Sequence, residues 1–138
     1  MIVRWLTVDL ARALIPHLGE RDRAEIMRRY PDLERWARSR FELSAIGLAL
    51  LRNDDVLAIG GMIFEGETGV LWMAGREGWT RHVKHAIRVF REIRGSGIVK
   101  RLECRVCADN PRAQDFARRL GFTPLGTDGG FVSYGMAL

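Results

Sequence analysis

Cys104 and Cys107 are the only cysteines, and they stand in a C-x-x-C spacing. A redox pair of that spacing normally opens a helix, where the dipole lowers a thiol pKa. These two fall inside Arg101–Ala108, an alternating run that reads as a strand. Residues three apart on a strand point to opposite faces. The spacing therefore predicts two ordinary thiols in a reducing compartment rather than a disulfide or a shared metal. No further Cys or His lies at zinc spacing, so no metal is expected. His82 and His85 sit three residues apart near the start of a predicted helix. They read either as a catalytic imidazole pair or as surface histidines. Arg81, Lys84, Arg88 and Arg91 form a basic stripe on the same helix, either an anion-binding surface or its solvated side. Trp5, Trp36, Trp72 and Trp79 read as core or sheet-packing residues.

The elements that must position these groups come from a chain of 138 residues, 47% hydrophobic and 28% charged. That suits one folded domain with a real core. The longest apolar run, Ile46–Leu51, contains Gly47 and is far too short to span a bilayer. Met1–Leu10 carries Arg4 and Asp9 and lacks a signal-peptide layout. A cytoplasmic protein without a membrane partner is expected. The formal net charge is +5, with arginine outnumbering lysine 20 to 2. Such a field permits an acidic or nucleic-acid partner without demanding one. No aromatic interleaves the basic stripe to stack on bases, which argues against single-strand binding.

Met1–Leu6 reads as a strand. Thr7 reads as the N-cap of a helix that Pro16 shortens and Gly19 stops. Glu20–Tyr30 is a charged helix broken by Pro31, and Asp32 caps one or two further turns through Trp36. Ala45–Leu51, Val56–Phe64 and Val70–Ala74 form a predicted antiparallel meander. Trp79–Arg94 is an amphipathic helix ended by Gly95–Ser96–Gly97, and Ile98–Cys107 is a strand. Asn110–Leu120 is a helix with Asn110 as its cap, Pro111 in its first turn and Gly121 at its end. Phe122–Thr127 and Phe131–Ala137 can form a hairpin around Asp128–Gly129–Gly130. The order predicts a single mixed α/β (α+β) domain, 1–138, on one sheet.

With that order in hand, ADNPRAQDFARRLGF at 108–122 resembles the C-terminal motif of the GNAT superfamily, the GCN5-related N-acetyltransferases. Asn110, Ala113, Leu120, Gly121 and Phe122 carry the likeness. A narrower likeness joins DRAEI at 22–26, FELS at 41–44 and LAIGG at 57–61 to that motif. Together they resemble a GNAT-like family of tailed phages, the internal virion protein A or internal core protein. The resemblance implies a mostly antiparallel sheet of about six to seven strands with helices on both faces. It implies an acetyl-CoA site whose pantetheine arm pairs with the fourth strand. By this analogy Trp72, Met73 and Ala74 lie on the cofactor strand, and Gly75, Gly78, Trp79 and Thr80 lie in the phosphate loop. Asn110 joins the cofactor-binding set.

Two departures from the family pattern stand out. Gly75–Thr80 lacks the R/Q-x-x-G-x-G/A signature, and Glu77 sets negative charge where a pyrophosphate would lie unless Arg76 or Arg81 offsets it. Trp79 is placed to fill the pyrophosphate space. The tyrosine that often protonates the leaving thiolate would fall at Ala117. Tyr134, Ser133 or water are the replacements the sequence offers, and Glu65, Glu67 and Glu103 are the carboxylates that could act as base or merely as solvated charges. Three functions follow as expectations. One is a virion-assembly or protein-binding protein with weak or lost catalysis, partnered by phage structural proteins. Another is an N-acetyltransferase acting on a small-molecule or protein amine. The third is a basic nucleic-acid module.

Overall fold

The computed structural model describes residues 1–138. Its strands are β1 (Ile2–Trp5), β2 (Ile46–Arg52), β3 (Asp55–Glu65), β4 (Thr68–Gly75), β5 (Arg101–Cys107), β6 (Thr123–Asp128) and β7 (Phe131–Ala137). Its helices are α1 (Val8–Leu14), α2 (Glu20–Met27), α3 (Leu33–Leu43), α4 (Val83–Ser96) and α5 (Pro111–Arg119). The strands form one seven-stranded sheet in the order β1-β2-β3-β4-β5-β7-β6. Neighbours β1/β2, β2/β3, β5/β7 and β6/β7 are antiparallel. β4 and β5 are parallel, from Thr68 opposite Arg101 to Leu71 opposite Cys104. The fold is mixed α/β with a mostly antiparallel sheet, as the element order predicts. No helix is long and apolar enough to cross a membrane.

Two compact units make up the chain, Met1–Ile63 with Met73–His85, and Phe64–Trp72 with Ala86–Leu138. In the first, Thr7 caps α1 by accepting the Leu10 N–H, and Pro16 restricts the chain beyond Leu14 to a 3-10 turn, Ile15–His17. Asp32 caps α3 through the N–H groups of Glu34 and Arg35. α3 runs eleven residues, longer than the one or two turns expected, because Trp36 and Ala37 bury one face of it. Leu14, Ile59 and Met62 are the largest fully buried side chains of this unit. Burial on that scale is worth about 1.5–3 kcal/mol per large apolar side chain. Trp5 corrects the expectation of a packed tryptophan: it is 73% exposed on β1, an edge strand whose four residues are all exposed. Trp36 is buried as expected.

In the second unit, Leu102, Cys107 and Tyr134 are fully buried, and the Phe90 and Phe122 rings meet at 5.6 Å between centroids. The predicted helix over 79–94 begins instead as a 3-10 turn, Trp79–His82, before α4. Gly78, at φ 75°, sets that entry and Gly97, at φ 73°, sets the exit. α4 runs through Gly95 and Ser96, so the stop lies one step later than the glycine pair suggests. β5 starts at Arg101 rather than Ile98, after Lys100 and Arg101 both donate to the Glu67 carbonyl. The hairpin forms, with β7 between β5 and β6.

Asn110 Oδ1 accepts the Ala113 N–H at 3.2 Å, the N-cap that starts α5 behind Pro111. Asn110→Ala should lower the stability by about 1 kcal/mol. A urea melt should show a reduced midpoint at unchanged slope; an unchanged midpoint would remove the cap from the account.

Candidate functional site

The loop that leaves β4 is built around the peptide of Gly75. Its N–H donates to Asp22 Oδ2 at 2.9 Å, and its carbonyl accepts the Gly19 N–H at 2.9 Å. The next residue turns back onto β3: the Arg76 N–H donates to the Leu57 carbonyl at 2.8 Å and Arg76 Nε to the Val56 carbonyl at 2.7 Å. The Trp79 N–H then closes on the Arg76 carbonyl, and the Arg81 N–H on that of Gly78.

Gly75 must be glycine for a steric reason. A Cβ there would lie 2.4 Å from Cδ1 of the Trp79 ring and 2.9 Å from the Leu57 carbonyl. The indole thus lies against the Gly75 backbone, and it also hydrogen-bonds the Asp22 carboxylate. Trp79 is therefore turned onto Gly75 of β4 and Asp22 of α2, a packing role. Gly78 differs. Its φ of 75° requires glycine, yet a Cβ there would meet nothing nearer than Arg81 Nε at 3.8 Å.

The charges divide into two sets. Burial raises the Asp22 carboxyl above its ordinary 3.8; the Gly75 and Trp79 hydrogen bonds oppose the rise, and Glu25 and Glu77 reinforce it. The folded protein therefore holds that proton more tightly than the unfolded chain. The contribution is complete below 3.8 and is lost as pH rises through the folded value. The cationic set lies on the following turn. Arg52 Nη2 is 2.8 Å from His82 Nε2, and Arg81 and Lys84 are exposed. Desolvation first, then Arg52, His85, Arg81 and Lys84, push the His82 imidazole below 6.5, so it faces Arg52 as a neutral acceptor. Arg76 is held toward β3 by its Nε bond to the Val56 carbonyl and keeps its charge, while Arg81 is exposed on the turn.

The structure brings Met73, Ala74, Gly75, Gly78, Trp79 and Thr80 together in the first unit, at the end of β4 and the loop after it. Ala74 and Gly75 are buried, whereas Met73, Gly78 and Thr80 are exposed. Trp72 and Asn110 belong to the second unit, where Asn110 caps α5. Asp22 and Gly19 escaped the sequence reading. One stood as a charge on a polar helix and the other as a helix stop, and only the fold sets them beside Gly75.

The tyrosine, serine and carboxylate candidates for acid and base lie in the second unit, and His82 and His85 in the first. Tyr134 is fully buried, with its hydroxyl 3.3 Å from Gln114 Oε1 and its ring under the Arg118 guanidinium. Gln114 is itself anchored through Nε2 to the Cys107 and Ala108 carbonyls. That arrangement gives Tyr134 a structural task. Ser133 is half-buried, opposite Arg105 on β5. Glu67 pairs with Lys100 at 3.1 Å and Glu103 with Arg101 at 3.6 Å, while Glu65 is exposed. These are solvated or ion-paired carboxylates. Neither cysteine forms a disulfide, and burial pushes the Cys104 thiol up to about 12, so it is not a nucleophile near neutral pH.

No protein-family model matches the chain, and no curated protein matches it. Solved structures do. The PaiA N-acetyltransferase of Thermoplasma acidophilum, in complex with coenzyme A, superposes with a TM-score of 0.75 at 15% identity, over 99% of this chain and 98% of that one. A ribosomal-protein-alanine N-acetyltransferase from Brucella melitensis gives 0.72 at 18% identity over the full length of both chains. The microcin C7 self-immunity acetyltransferase MccE, in complex with acetyl-CoA and AMP, gives 0.71 at 14% over 99% and 91%. The fold is that of the GNAT acetyltransferases.

Gly75→Ala should force the Trp79 ring off the loop and destabilise the protein by roughly 1–3 kcal/mol. The tryptophan emission should shift to the red, as a newly wetted indole does. An unchanged spectrum and melting temperature would refute the packing described.

Proposed function

We propose that this chain is an acetyl-CoA-dependent N-acetyltransferase that acetylates a primary amine. The observation that carries the reading is the parallel β4/β5 pair with a glycine-bearing loop leading into α4. It stands within a fold shared over nearly the whole chain with acetyltransferases solved with coenzyme A or acetyl-CoA.

The residues fit the cofactor in kind. Gly75 and Arg76 spend their N–H groups on Asp22 and the Leu57 carbonyl, and Trp79 and Arg81 spend theirs on carbonyls of the loop. The exposed positions Glu77, Gly78 and Thr80 are those that could offer N–H groups to a pyrophosphate, with Arg81 as a cation beside them and the Glu77 carboxylate opposing. Trp72, Met73 and Ala74, consecutive on β4, would pair with the pantetheine arm. When bound, acetyl-CoA supplies an activated acyl group. A neutral amine nitrogen attacks the thioester carbonyl, the C–N bond forms and the C–S bond breaks. The amine's proton leaves through solvent as the thiolate departs.

A second reading has its own support. With Ala117 at the family's tyrosine position and the Tyr134 hydroxyl held by Gln114, the usual acid is missing. On that reading the protein is a phage-type, weakly active or non-catalytic member acting in virion assembly, with phage structural proteins as partners, in the bacterial cytoplasm or the virion.

Calorimetric titration with acetyl-CoA and CoA at moderate salt separates the two. The acetyltransferase reading expects one saturable site, weakened in Gly78→Val because a β-branched residue strains φ 75° by about 1–2 kcal/mol. Turnover should follow with a panel of primary amines. No heat and no thermal stabilisation at millimolar ligand would overturn it in favour of the second reading, which then requires capture of a defined virion protein without CoA.

A further inference from the structure

Among the ionisable side chains of the first unit, Asp22 is set apart by its contacts. Glu20 on α2 is exposed, but Asp22 turns into the unit and accepts two hydrogen bonds from the end of β4 and the turn beyond it. One comes from the Gly75 N–H and the other from the indole N–H of Trp79, four residues further on. The Gly19 N–H, three residues before Asp22, holds the Gly75 carbonyl. The start of α2 therefore grips the Gly75 peptide from both sides and ties down the one ring that packs on it. Gly19 can come this close because it lacks a side chain: a Cβ would lie 3.2 Å from the Glu77 nitrogen.

We infer that Asp22 is the positioning residue of the 75–82 loop, fixing the turn on which acyl-CoA binding depends through its bonds to Gly75 and Trp79. This rests on the acetyltransferase reading for the identity of the ligand, and on the hydrogen bonds alone for the latch. Asp22 touches no reacting atom. It acts by holding Gly75 and Trp79, so that the exposed positions Gly78 and Thr80 keep one geometry. Its charge cuts the other way. A carboxylate near a phosphate-binding loop repels the ligand, as do Glu25 and Glu77, the charged neighbours that act on it. The two effects predict opposite outcomes on substitution, which makes the inference decidable.

Acetyl-CoA affinity and steady-state kinetics are measured for the full chain and for Asp22→Ala and Asp22→Asn. If the latch governs the loop, Asp22→Ala weakens binding roughly ten-fold or more, the scale of losing hydrogen bonds to a charged acceptor. KM for acetyl-CoA rises with it while kcat at saturation changes far less. Asp22→Asn, which keeps one acceptor oxygen and the shape, falls between. Binding equal to or tighter than wild type in both variants overturns the inference, since repulsion would then outweigh positioning. A ligand-free readout accompanies this. The Trp79 indole N–H resonance, assigned by its loss in Trp79→Phe, should titrate with a midpoint above 3.8 in the wild type and not in Asp22→Asn. An indole indifferent to both pH and substitution refutes the latch. Should the wild type bind no acetyl-CoA while the indole titrates, the latch holds and it is the acetyltransferase reading that fails.

Discussion

One parallel pairing in a mostly antiparallel sheet constrains the molecule. Antiparallel strands can follow one another through tight turns, but β4 and β5 run the same way, and a parallel pair needs a long crossover. The chain must leave β4 at Gly75, turn sharply, and travel back through α4 before Arg101 can take up its register with Thr68. That demand places a loop and a helix start after the end of β4. It also explains why the loop is so heavily tied. The Gly75 peptide, the Arg76 backbone and the Arg76 guanidinium all find partners within two residues of the strand's end, so the turn is fixed before the helix begins.

The same loop shows an internal trade. Buried polar groups must be paired, and this chain pairs the Gly75 N–H with a carboxylate. A carbonyl in that place would have carried no net charge. The choice leaves an anion behind a segment whose proposed ligand is anionic, and Glu77 adds to it. Arg52, Arg81, Lys84 and His82 lie just beyond. His82 is held neutral there, so the set's positive charge comes from the arginines and the lysine. Salt screens such exposed charges within about 10 Å. The balance at the loop therefore depends on ionic strength more than the net charge of +5 implies.

Much of the architecture could be read from local signals. Thr7, Asp32 and Asn110 announce helix starts because a short polar side chain before an apolar stripe has one good use, and all three cap as expected. The spacing of Val83, Ala86, Ile87, Phe90 and Ile93 likewise gave α4 its inward face. Local signals failed where the outcome depends on the rest of the fold. Trp5 looks like core by composition, and only its place on an edge strand leaves it exposed. The loop's residues were found through a family likeness, but their internal partner was not. Nothing within a few residues of Asp22 distinguishes it from Glu20 or Glu25, because the bond that matters spans 53 residues. Trp79 packs on the Gly75 backbone, and its own hydrogen-bond partner, Asp22, is just as remote in sequence.

The absent tyrosine carries less weight than it first suggests. A thiolate is a competent leaving group, since a thiol of pKa about 8.5 loses little by departing unprotonated near neutral pH. The attacking amine faces the harder problem. A lysine side chain of pKa about 10.4 must shed its proton before it can attack, at a cost of roughly 4–5 kcal/mol at neutral pH, whereas an α-amino group of pKa about 7.7–8.0 loses only about 1 kcal/mol. Glu67 and Glu103 are engaged in ion pairs and Glu65 is exposed, so the carboxylates the sequence offers as base are poorly suited to closing the larger gap. On the acetyltransferase reading, peptides with a free α-amine should therefore turn over before lysine side chains. The rate should climb with pH to a plateau set by the acceptor's own pKa. A lysine-selective activity with a plateau near neutral pH would instead require a base that lowers the amine's barrier, and would move the search to a carboxylate other than these three.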